Sequence, residues 1–150
     1  MNNLNIALYR AEKIESDKYV EGFLIKKNYD NQKVRYFILE DKNTEVAMTY
    51  EIDPTTLAIN FNDMLDSQGN KIFASLSEDG KGGDITELQA SSGTCLSCGD
   101  KLPKTLAVAI YEEMEFREIE LNPHKCFRKR EHNYVLIGNL EYKKVIGIQK

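Results

Sequence analysis

Short apolar runs separated by turn residues recur along the whole chain, and long amphipathic helical patterns are nearly absent. Alternation of apolar and polar positions is typical of strands, because successive side chains of a strand point to opposite faces. The pattern therefore predicts an all-β domain with short helices at most. The predicted strands are 3–10, 18–26, 33–40, 44–52, 70–76, 84–88, 105–111, 114–121, 133–138 and 141–148.

Two local signals refine this pattern. Gly138-Asn139 lies between the last two predicted strands, and glycine tolerates the positive φ of a two-residue turn, so we expect a closing hairpin there. Asp53-Pro54 resembles a helix start, with an aspartate cap before a proline in the first helical position. This signal predicts a short helix over 54–65.

Residues 105–121 fit two periodicities. Leu106, Val108 and Ile110 alternate as in a strand, whereas the spacing from Ile110 to Met114 also suits one face of a helix. We expect two strands here, and a helix is the alternative.

Composition favours one domain, 1–150, in the cytoplasm. A chain of 150 residues with 41% hydrophobic residues is long enough to build its own core. The sequence has no run near the roughly 18 apolar residues of a membrane span and no basic-then-apolar leader pattern. Three cysteines, two of them close together, fit a reducing compartment better than a disulfide framework.

The net charge of −4 is unevenly distributed. Residues 41–90 carry ten acids and three bases, whereas residues 121–150 carry seven bases and two acids. This balance argues against wholesale coating of nucleic acid, and it places any anionic partner at the C-terminal part.

Four segments follow each other in an order typical of one known family. They are ALYRAEK at 7–13, YVEGFLI at 19–25, YEIDPTTL at 50–57 and DSQGNKIF at 66–73. Gly83-Asp84-Ile85 and the closing VIGI at 145–148 extend the pattern. On these segments the chain resembles the YopX-like proteins of phages and prophages, well over 7–85 and faintly over 142–148.

The resemblance implies a mainly β, barrel-like fold, SH3-like or similar, and an origin in a phage, a prophage or another mobile element. It brings no reaction and no catalytic residues with it. Residues 89–141 match none of the family's segments. We expect the features distinctive of this chain in that divergent segment, and a zinc-stabilised insertion is one interpretation of it.

A zinc site is one hypothesis for the divergent segment. Cys95 and Cys98 have the spacing of a zinc knuckle, and His124 and Cys126, two residues apart, would share one face of a strand. Together they would give one structural zinc three thiolates and one imidazole. The alternative is a cysteine pair that is incidental or reversibly oxidised, because spacing alone does not establish thiolates.

A cluster of basic residues follows the histidine. Lys125, Arg128, Lys129 and Arg130 surround Phe127, an arrangement in which cations contact phosphates while an aromatic ring stacks on a base. Four bases carry no sequence specificity, and the rest of the chain is acidic. A solvated loop is therefore the competing interpretation.

Motifs for catalysis are scarce. The chain has two histidines, no Gly-x-Ser-x-Gly elbow and no His-Glu-x-x-His pattern. The sequence favours a non-enzymatic, macromolecule-binding accessory protein, with a host or phage protein as its partner. The alternatives are a zinc-stabilised nucleic-acid binder using 95–132 and an enzyme whose site combines dispersed acids with His124 or His132.

Overall fold

The computed structural model describes residues 7–30, 33–40, 48–61, 64–88, 99, 101, 104–122 and 143–150, and the backbone of 134–136. These residues are mostly β, and the sheet curls into a half-barrel, which confirms the predicted fold class. The strands within them are β1 Leu8–Glu12, β2 Tyr19–Asn28, β3 Val34–Glu40, β4 Thr49–Glu51, β5 Ala58–Asn60, β6 Ala74–Ser75, β7 Asp84–Leu88, β8 Leu106–Glu112, β9 Glu115–Glu120, β10 Tyr134–Leu136 and β11 Lys143–Ile148.

The sheet has the strand order β10-β9-β8-β6-β5-β1-β2-β3-β4, and β7 pairs with both β8 and β11. The pairing is antiparallel except between β6 and β8, where Ser75 and Ile110 are parallel partners. No helix in the part of the chain that the structure describes is long and apolar enough to cross a membrane.

The two strands predicted within 105–121 are confirmed as β8 and β9, and the helical alternative is wrong. Glu113 and Met114 connect them with φ of 52° and 65°. Positive φ at both central residues matches the twist of the flanking strands, so a tight hairpin turn interrupts what would otherwise be a helical period.

The helix predicted over 54–65 is wrong. Asp53 does cap a turn, since its Oδ1 accepts a 2.9 Å hydrogen bond from the Thr55 amide, but the 3-10 helix extends only over Pro54–Thr56. The chain then becomes extended as β5, whose three residues are all buried. An extended Ala58–Asn60 forms ladders with β1 and with β6, and a helix would form neither.

The predicted closing hairpin lies outside the described residues, which include neither its turn, Gly138-Asn139, nor residues 140–142. Within the described residues β10 pairs with β9, and β11 pairs with β7 through Lys143–Ile148. In this position of β11, Lys143 is buried against the carboxylate of Glu118, a contact with no local signal in the sequence.

The core has two apolar clusters. One lies under β1 to β4 and contains Ala11, Val20, Ile38, Ile52 and Leu57, with Tyr9, Leu24, Tyr36 and Tyr50 packed against it. The other contains Ile72, Ala74 and Ala109, with Met64, Tyr111, Phe116 and Val145 around it. Arg10, on β1, is a buried charged residue, and its partners define the first candidate site.

Candidate functional site

The residues singled out in the sequence for metal and nucleic-acid binding lie outside the described residues. They are Cys95, Cys98, His124 and Cys126 for zinc, and Lys125, Arg128, Lys129 and Arg130 for nucleic acid. Both hypotheses therefore stay predictions. Among the residues that the structure describes, no group of three or more histidine, cysteine, aspartate or glutamate side chains is arranged to hold a metal ion.

A buried ion pair joins the two ends of the family-like region. Arg10 Nη1 donates a 2.8 Å hydrogen bond to Asp84 Oδ1, and Asp84 Oδ2 accepts one of 2.8 Å from the Phe73 amide. Arg10 Nη2 donates a 2.8 Å hydrogen bond to the carbonyl of Gly82. The pair thus links β1 to β7 and to the segment that precedes β6.

Aromatic rings enclose this guanidinium. The Cζ atom of Arg10 lies 4.7 Å from the ring centre of Phe73 and 5.7 Å from that of Tyr19. Gly82 approaches the backbone of Thr56 so closely that an added Cβ would lie 2.0 Å from its carbonyl oxygen. The segments on which the resemblance rests therefore converge around the Arg10 guanidinium. Their residues have structural roles there.

Burial raises the pKa of Asp84, and the Arg10 guanidinium and the Phe73 amide oppose that rise. Both carboxylate oxygens of Asp84 already accept hydrogen bonds from the protein. This carboxylate is therefore engaged in holding three segments together.

Asp66 organises the turn that leads into β6. Its Oδ1 accepts 2.8 Å hydrogen bonds from the amides of Gln68 and Asn70, and its Oδ2 accepts one of 2.8 Å from the amide of Val145 on β11. Burial acts to raise the pKa of Asp66, but these hydrogen bonds outweigh it and lower the pKa overall. Gly69 completes the turn with a φ of 81°.

A second candidate site lies on the outer face of the β2–β3 hairpin, opposite the core cluster. Three cross-strand pairs follow each other on this face: Phe23 with Leu39, Ile25 with Phe37, and Lys27 with Arg35. We call these six side chains the outer ladder. Phe23 remains 39% exposed, and Ile25, Phe37 and Leu39 are half-buried. An apolar centre with a charged end is therefore open to solvent.

The charged end of the outer ladder is held in place. Arg35 Nε donates a 2.9 Å hydrogen bond to Glu51 Oε2, and a second hydrogen bond between the same two side chains makes the contact bidentate. This contact lowers the pKa of Glu51 and raises that of Arg35. Lys27 Nζ and Arg35 Cζ lie 4.9 Å and 5.3 Å from the ring centre of Phe37.

The tip of this hairpin is basic within an acidic chain. Residues 26–35 contain four bases and one acid, a net charge of +3, whereas the whole chain carries −4. Tyr29, which is 40% exposed, contributes a further aromatic ring beside Arg35. The net charge of the tip is therefore opposite in sign to that of the whole chain.

No protein-family model, curated protein or solved structure matches this chain. The likeness to YopX-like proteins therefore stays a prediction.

One feature of the sequence indicates the outer ladder, namely two uninterrupted runs of apolar residues in β2 and β3. Residues 36–39 are four consecutive apolar residues, and 23–25 are three. Strict alternation gives one apolar face, so an uninterrupted apolar run indicates a strand with apolar side chains on both faces. One face packs on the core, and the other forms the ladder.

Proposed function

We propose that the protein is a non-enzymatic β domain that binds a partner protein through the outer ladder. The observation that carries the proposal is the ladder itself: an exposed apolar centre next to fixed cations. Protein interfaces combine an apolar centre with a polar rim and are enriched in aromatic residues and arginine. A patch of this composition on a small domain is a typical docking surface.

The sign of the charge defines the partner. Lys27 and Arg35 lie at one end of the ladder, and the carboxylate of Glu51 engages only one of them in an ion pair. A complementary surface therefore presents apolar side chains flanked by carboxylates. Following the family resemblance, we propose that this partner is a host or phage protein and that the chain is an accessory protein of a mobile element acting in the cytoplasm.

The apolar centre favours a protein over nucleic acid. Phosphates attract the cations of the ladder, but a duplex offers nothing apolar to cover Phe23 and Leu39 on the opposite end of the same face. Affinity for nucleic acid would also fall steeply with salt, whereas an interface with an apolar centre retains most of its affinity.

Site-specific photo-crosslinking tests the proposal. A photoreactive amino acid replaces Phe23 in the full chain, and a control carries it at Met114, which is 87% exposed on the β8–β9 turn. We expect one protein to be crosslinked from position 23 and not from position 114. That protein is then purified and titrated against the wild-type chain.

The titration distinguishes a specific interface at the outer ladder from nonspecific binding to the surface of the chain. The Lys27→Glu variant should bind the purified partner at least about tenfold more weakly. The control, Lys144→Glu, makes the same charge change at an exposed side chain of β11 and should bind within about twofold of wild type. Equal binding by both variants, or nucleic acid as the species crosslinked from position 23, contradicts the proposal.

A further inference from the structure

A cleft of about 530 Å³ opens beside the buried ion pair. Its lining includes Arg10 and Glu21, which are cross-strand partners on β1 and β2, and Lys71 from the turn before β6. Gly69, Asn70, Phe73, Asp84 and Val145 complete it. Sites for small molecules commonly have volumes of about 300–1,000 Å³, so the cleft has the size of a ligand site.

The residues at the floor of the cleft are held by hydrogen bonds, but one of their donor groups has no acceptor. Asp84 is held by Arg10 and by the Phe73 amide, and Arg10 is held in turn by the Gly82 carbonyl. Arg10 is only 7% exposed, yet its Nε atom has no hydrogen-bond partner. A buried N–H group without an acceptor is uncommon and costs free energy, which an acceptor oxygen from a ligand would recover.

The walls of the cleft carry one charge of each sign. Glu21 is exposed and Lys71 is half-buried, and neither forms an ion pair with another residue in the described ranges. With Arg10 and Asp84 on the floor, the lining has two cations and two anions. A ligand of a single sign would meet as many like charges as opposite ones, whereas a ligand that carries both signs complements the cleft.

We propose that this cleft binds a small zwitterion, an α-amino acid with an apolar side chain. The amino acid's carboxylate is directed to Arg10 and Lys71, and its ammonium group to Glu21, because both oxygens of Asp84 already accept hydrogen bonds from the protein. Phe73 and Val145 offer apolar surface to its side chain. None of these groups belongs to the outer ladder, so the inference stands independently of the proposed protein partner.

An NMR titration of the isotope-labelled full chain tests the inference. The probes are L-leucine, 4-methylpentanoate, which lacks the ammonium group, and 3-methylbutylamine, which lacks the carboxylate. We expect L-leucine to shift the amide signals of Gly69, Asn70, Lys71 and Val145 in a saturable way. Each truncated probe should bind at least about tenfold more weakly, because it lacks the group that would oppose either Glu21 or Arg10 and Lys71.

Two wall variants attribute the binding to the cleft. Glu21→Gln and Lys71→Gln remove one charge each from side chains outside the core, and each should weaken L-leucine binding at least about fivefold. Matched controls, Lys26→Gln and Glu113→Gln, remove the same charges elsewhere and should bind as wild type does. No saturable shift up to about 20 mM L-leucine, equal binding of a truncated probe, or unaltered binding by the wall variants overturns the inference.

Discussion

Lys27 and Arg35 lie directly opposite each other on β2 and β3, although both are positively charged. Like charges at directly opposed positions destabilise a sheet. The two side chains reduce the repulsion by stacking on Phe37, and Arg35 reduces it further by pairing with Glu51. This repulsion lowers the stability of the isolated domain, and a partner that supplies a negative charge would relieve it.

The first prediction follows from this opposition. Lys27→Glu should raise the urea midpoint of unfolding with an unchanged m-value, because it places a carboxylate opposite Arg35. Lys26→Glu is the matched control, since Lys26 is opposite the uncharged Tyr36. A midpoint for Lys27→Glu at or below that of wild type would show that the opposed cations carry no energetic cost.

The buried ion pair gives the second prediction. Asp84→Asn leaves the Arg10 guanidinium buried without its counter-charge, and removing one partner of such a pair costs about 3–5 kcal/mol in the free energy of unfolding. The double variant Arg10→Met/Asp84→Asn should lose less than the sum of the two single variants, because the second change removes the stranded charge. Urea unfolding of all four proteins measures the coupling.

An exposed pair serves as control for this cycle. Glu51→Gln breaks the contact with Arg35, whose side chain is 45% exposed. Solvent screens such a pair, so the loss of stability should be much smaller than for Asp84→Asn. Comparable losses at the two positions would mean that the Arg10–Asp84 pair is not held in a low-dielectric environment.

The third prediction concerns pH. The pKa of Asp66 is lowered from its ordinary 3.8, so the folded state binds this proton less tightly than the unfolded state does. Its contribution is therefore present above pH 4 and is lost as the pH falls through and below that value. Asp66→Asn should cost about 1–3 kcal/mol at pH 7 and progressively less towards pH 2.

An exposed aspartate provides the comparison for Asp66. Asp79 accepts one hydrogen bond, from the Lys81 amide. Asp79→Asn should therefore change stability little at pH 7. A stability difference between wild type and Asp66→Asn that stays constant from pH 7 to pH 2 would contradict the account given for Asp66.

The fourth prediction compares alanine substitutions at two glycines, one of which tests backbone strain alone and the other backbone strain together with a steric clash. Gly69 and Gly82 have nearly equal positive φ, 81° and 84°, but a Cβ on Gly69 would meet nothing within 4 Å. Gly69→Ala should cost about 1–2 kcal/mol, the price of a left-handed alanine. Gly82→Ala adds a collision with the Thr56 carbonyl and should cost clearly more, or prevent folding, as thermal unfolding would show.

Local patterns predicted most of the strands. Short apolar runs between polar or turn residues identified β2, β3 and β7 closely. The helix predicted from Asp53 and Pro54 was wrong because a capping aspartate and a proline are equally compatible with one turn of 3-10 helix. What decides the conformation there is burial of β5 between β1 and β6, which is a property of the assembled sheet.

The sites were less accessible to prediction. The sequence drew attention to the cysteines and the basic cluster because their chemistry is local. Arg10 and Asp84 are 74 residues apart, and nothing near either residue marks it as the partner of the other. The outer ladder requires the register of two strands, which sets Lys27 opposite Arg35 and cannot be read from either strand alone.

The separation of Arg10 from Asp84 also constrains how the chain folds during its synthesis. A ribosome adding about 5–20 residues per second needs roughly 4–15 s to extend the chain from Arg10 to Asp84. Throughout that interval β1 lacks the carboxylate that neutralises its guanidinium. The N-terminal hairpin therefore emerges with the edge of β1 open until β5 is made, and its guanidinium stays without a counter-charge until the first residue of β7 follows.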